Sequence, residues 1–161
     1  MKNDLTNLLG RTVALAVFMV VALISISAQD SKGGRLVGTW DATVTIRNCT
    51  TGDPITTFAS IASFNQGGTT IGSTSGIPQS LRTPEHGVWR HVSGNRYEFK
   101  FKTFTFDSSG MPISYGVVSH EVELNTAADA YTSAGTVRFY LLNGTQVGQG
   151  CSDAVGTRFG F

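Results

Sequence analysis

Leu36-Val-Gly-Thr-Trp-Asp-Ala-Thr-Val-Thr-Ile-Arg-Asn48 is the stretch that decides how the rest of the chain is read. Within it Trp40, Ala42, Val44 and Ile46 alternate with Asp41, Thr43, Thr45 and Arg47. Successive side chains of an extended strand point to opposite faces, so this period of two gives one apolar face and one polar face. The segment is therefore expected to be a strand with one side in a core and the other in water.

Working outward, turn signals cut the remainder into segments of similar length. They are Thr51-Gly-Asp-Pro54, Gln66-Gly-Gly68, Ser93-Gly-Asn95, Asp107-Ser-Ser-Gly110 and Asn143-Gly144, the last a strong hairpin signal. The predicted strands are 36–48, 57–65, 69–75, 86–92, 96–106, 114–124, 131–141 and 145–159. A longer polar loop with Gly76, Pro78 and Pro84 joins the third to the fourth. No window carries a helical period, and Thr126-Ala-Ala-Asp-Ala130 has room for one turn at most.

Short connections between neighbours predict an antiparallel meander. An open sheet of eight strands would leave two bare edges. Pairing the first strand with the last removes them and encloses a small interior. The expected fold is all-β, a single closed antiparallel up-and-down barrel of about eight strands over residues 36–161.

The ends of the chain carry a resemblance. Gly38-Thr39-Trp40 opens the first strand, and Gly156-Thr157-Arg158 ends the last. This resembles the lipocalin/calycin pattern, a Gly-x-Trp on the first strand with an Arg near the C-terminus. The resemblance implies that Trp40 packs under Arg158 and plugs the barrel floor. The layout is also similar to allene oxide cyclase-like barrels, without a catalytic motif that matches. Avidin-type barrels share the Gly-x-Trp, but their ligand-binding residues have no counterpart here.

Composition sets the compartment and excludes several functions. The 161 residues are 40% hydrophobic and only 14% charged, with net charge +1. No Lys/Arg run exists, so nucleic-acid binding by phosphate neutralisation has no basis. Lys2 and Arg11 precede an apolar run to Ile24, followed by Ser25-Ile-Ser-Ala28. That pattern predicts a signal peptide over 1–28 and a linker over 29–35. The competing reading is a membrane anchor, for which the run is shorter than the roughly 20 residues a spanning helix needs. After cleavage no membrane contact is expected, and the protein would be secreted or periplasmic. In such an oxidising compartment Cys49 and Cys151 are expected to form a disulfide. A ladder pairing Trp40 with Arg158 lies within two positions of one pairing Cys49 with Cys151, so one seam would hold both pairs. His86, His91 and His120 show no metal-ligand spacing. No metal and no cofactor are expected, and no pattern specifies an oligomeric state.

Candidate ligand-binding residues come from the aromatic strands. Tyr97, Phe99 and Phe101 share one face of the fifth strand. Phe104 and Phe106 have the other parity, which calls for a bulge near Lys102-Thr103. Glu98, Lys100 and Lys102 are expected to face water. Trp89, one hairpin away, is placed with them, and so is His120, which shares parity with Val118, Val122 and Leu124. A His among inward apolar residues either orients a ligand or sits in the core on one hydrogen bond. No catalytic residue is identified, and the Ser residues lack a nucleophile-elbow context.

The expected function is to bind or carry a small hydrophobic molecule in the barrel interior. The alternative is a cyclase or isomerase that uses the interior to hold a reactive conformer. A third reading is a structural or assembly protein whose barrel is filled by its own side chains.

Overall fold

The computed structural model describes residues 33–161; the leader expected over 1–28 lies outside the described residues. Eight strands follow a 3-10 turn at Gly33–Leu36: β1 Gly38–Arg47, β2 Pro54–Asn65, β3 Thr69–Thr74, β4 Glu85–Ser93, β5 Arg96–Phe106, β6 Pro112–Leu124, β7 Ala130–Leu141 and β8 Gln146–Arg158. They form a closed barrel in sequence order, every neighbour pair antiparallel. The long polar loop between β3 and β4 holds a second 3-10 turn, Gln79–Leu81.

Strand bounds depart from the reading of the sequence at a few ends. β2 begins at Pro54, within the expected turn, because the reversal is complete by Asp53: Gly52 N–H donates to the Asn48 carbonyl, and Asn48 N–H to that of Asp53. Pro54 lacks a donor, which the first residue of a strand tolerates. The segment expected as a linker ends in an ordered turn, where Arg35 donates to Asn95 Oδ1 at 2.7 Å and to the Thr126 carbonyl.

The expected bulge at Lys102-Thr103 is absent. The β5–β6 ladder runs unbroken from Arg96 to Thr105 and shifts only at Phe106. Phe104 therefore stays on the outer face. It packs against Tyr115 there, Tyr115 stacks on Tyr140, and the Lys102 ammonium lies over the Phe104 and Tyr115 rings. Thr103 and Thr105 take the inward positions that two phenylalanines would otherwise fill.

The seam between β1 and β8 has the expected register, with Trp40 opposite Arg158 and Arg47 opposite Cys151. Two residues beyond the ladder, Cys49 forms a disulfide with Cys151, Cα–Cα 5.2 Å. At the other end the Arg158 guanidinium lies 4.3 Å from the Trp40 ring centre. It also donates to the backbone carbonyls of Arg35, Val37 and Ala128. Gly38 makes this approach feasible: its φ of +136° favours glycine, and a Cβ there would sit 2.4 Å from the Arg158 Nη1. Trp40 is fully buried and donates its indole N–H to the Leu36 carbonyl. Leu36, Tyr97, Leu124, Tyr131 and Phe64 close around it as the main core cluster.

Arg158→Ala is expected to destabilise the barrel by about 1–2 kcal/mol, through the lost cation–π contact and the packing of its stem. Urea denaturation measures it, and an unchanged midpoint would mean that the floor does not depend on this clamp.

Candidate functional site

Above the floor cluster the barrel is hollow. The cavity has a volume of about 510 Å³ and runs from Ala42 and Phe64 toward Thr56, Ile77 and Phe139 at the barrel end away from Trp40. That volume lies within the 300–1,000 Å³ or so typical of small-molecule sites, and the interior above the floor is open. A shallower depression of about 570 Å³ crosses the outer faces of β4 to β7, bordered chiefly by exposed groups such as Val88, Arg90, Lys100 and Glu121.

Three of the five residues singled out from the sequence border the cavity: Phe99, Phe101 and His120. Phe99 and Phe101 stack on one another with ring centres 5.9 Å apart, and His120 stacks on Phe99 at 5.2 Å. Alternation along β5 and β6 places them there, with Phe99 paired to His120 and Phe101 to Val118. Tyr97 and Trp89 do not reach the cavity. Tyr97 is 1% exposed and belongs to the floor cluster, one inward position below Phe99. Trp89 packs between Phe64 and Tyr97 and donates its indole N–H to the Asn65 carbonyl. The inward face of β5 thus divides by height: its lower end makes the floor and its upper end the cavity wall.

His120 is held on both ring nitrogens. Nδ1 meets the Ser133 hydroxyl at 3.0 Å and Nε2 the Ser152 hydroxyl at 2.8 Å. Burial lowers its pKa to about 4, with a small opposing pull from Asp153. The ring is therefore neutral at physiological pH, donating from one nitrogen and accepting at the other.

The sequence reading missed a buried ion pair beside β5. Arg82 and Glu85 are each 7% exposed, and Arg82 Nη2 donates to Glu85 Oε1 at 2.8 Å. Both border the cavity. Arg82 is fixed from the loop by a bridge to Thr105 on β5, while Glu85 opens β4 opposite Gly72 on β3. Burial pushes the Glu85 carboxyl pKa up, and Arg82 pulls it back down. Tyr131, also on the wall, is pushed up to about 12 by burial and then by the Glu85 charge. Parity held a signal for Glu85, which shares its face with Gly87 and Trp89. Arg82 sits in an aperiodic loop and gave none.

Chemically the site joins aromatic and aliphatic side chains to seven buried polar residues: Thr70, Thr74, Arg82, Glu85, His120, Ser133 and Ser152. Among the described residues no cluster of His, Cys, Asp and Glu is arranged to hold a metal ion, and no helix is long and apolar enough to cross a membrane. The disulfide fits an oxidising, extracellular compartment. No protein-family model matches the chain, and no curated protein matches it either.

Proposed function

We propose that the protein is an exported barrel, secreted or periplasmic, that binds or carries a small hydrophobic molecule in its interior. The observation that carries this reading is the 510 Å³ cavity with the Phe99–Phe101 stack on its wall. Water in contact with such rings is released when an apolar molecule replaces it, at about 25 cal/mol per Å² of apolar surface covered. The Trp40–Arg158 floor and the Gly38-x-Trp40 start support kinship with lipocalin/calycin barrels. Nothing in this reading calls for a cofactor, nucleic acid or lasting membrane contact.

Titration with an apolar fluorescent probe tests it. Phe101→Asp should weaken binding by about tenfold or more, because it sets a charge against apolar walls. Glu98→Gln, on the outer face, should leave the affinity within about twofold, since an exposed ion pair such as Arg90–Glu98 contributes little. Equal effects of the two changes, or no binding of the probe at all, would end the proposal.

A second reading, a cyclase or isomerase, has one observation in its favour. Glu85, Arg82 and His120 border the same apolar space. Mass spectrometry of what co-purifies separates the two, since a carrier retains one compound and an enzyme retains a substrate and its isomer.

A further inference from the structure

The polar groups of the cavity differ in what they have left to offer. Both nitrogens of His120 are engaged by Ser133 and Ser152. Glu85 is engaged on one side only. Its Oε1 accepts from Arg82, while its Oε2 points toward Gly72, where an added Cβ would stand 2.9 Å from that oxygen. Among the described residues no protein group donates to Oε2. The absence of a side chain at Gly72 leaves the oxygen room on a wall that both residues share.

A carboxylate oxygen is an acceptor only, and among the described residues no fully buried side-chain oxygen lacks a partner, so Oε2, which has no protein donor, is open to the cavity. Pairing with Arg82 favours the charged, acceptor form of the carboxyl, against the burial that raises its pKa overall. Elsewhere the lining mixes apolar side chains with Thr and Ser hydroxyls, and Phe99 and Phe101 suit the face of a ring. We propose that the cavity takes an apolar molecule bearing a hydroxyl group, and that Glu85 receives that hydroxyl on Oε2. This rests on the binding function argued above and adds to it the polarity of the ligand and the residue that reads it. Tyr131, on β7, also borders the cavity, and burial and the Glu85 charge raise its pKa.

The test compares naphthalene with 2-naphthol, which differ by one hydroxyl, in fluorescence titrations of the mature protein. The readout is the ratio of the two affinities. The wild type should prefer 2-naphthol by about tenfold or more, the scale of a hydrogen bond to a charged acceptor in a buried site. Glu85→Gln should reduce the ratio only in part, because Arg82 claims the amide oxygen and the amide nitrogen can still donate a neutral hydrogen bond to the ligand hydroxyl. The double change Arg82→Leu with Glu85→Leu should bring the ratio near one while leaving no buried charge unpaired. The double variant, shown folded by circular dichroism, decides the test. If the wild type binds both probes equally, the hydroxyl assignment falls and the carrier reading stands. A preference that survives in the double variant places the hydroxyl elsewhere and overturns the role of Glu85. If neither probe binds, the carrier reading fails first and this one with it.

Discussion

Replacing both Cys49 and Cys151 by Ser is expected to lower the stability of the barrel by about 4–5 kcal/mol, the largest effect of any change at the seam. The two residues are 102 apart in sequence, so their bridge closes about four-fifths of the described chain. Cross-linking so long a loop removes many conformations from the unfolded ensemble and few from the folded one. The bridge ties Cys151, in the last β1–β8 pair, to Cys49, two residues past the end of β1, where the ladder no longer holds that strand. Urea denaturation of the double variant beside the oxidised wild type measures the loss. A difference below about 1 kcal/mol would mean that the ladder and the Arg158 clamp hold the seam without help.

Acid should weaken the fold through His120. The folded pKa is about 4, against 6.5 for the free side chain. Between these values the unfolded chain takes up a proton that the folded chain refuses, so acid favours unfolding. The contribution of His120 is complete above pH 6.5 and is lost as pH falls toward 4, about 3 kcal/mol in all. His120→Gln can still bond both serines but does not titrate. The stability difference between pH 7 and pH 4 should be smaller in that variant by this amount. Identical pH dependence in the two proteins would show that the imidazole accepts its proton inside the barrel.

The architecture was legible because the alternating strands and the turn signals agreed. The register of the seam followed from pairing the two chain ends. What parity could not supply was height along the barrel. Tyr97, Phe99 and Phe101 share a face, yet one is in the floor and two line the cavity. Parity also misled where aromatics were taken to belong inside: Phe104 lies outside, in a row with Tyr115 and Tyr140. The Arg82–Glu85 pair was missed for a different reason. Charged residues are usually exposed, and although the two are only three residues apart, it is the packing of the loop against β5 that buries the pair.

The ring of strands also constrains how the molecule comes into being. Seven of its eight ladders join neighbours in sequence and need only short stretches of chain to form. The eighth, β1 with β8, joins residues more than a hundred positions apart and requires the whole domain. Loop-closure entropy makes such a pairing late and slow beside the local hairpins. Until β8 arrives, β1 and β7 are open edges able to recruit strands from other chains. The C-terminal strand is thus the latch of the molecule. A chain that stopped before Gln146 would keep seven ladders' worth of local order less one and gain two adhesive borders, so the last thirteen residues of sheet protect the protein from its own kind.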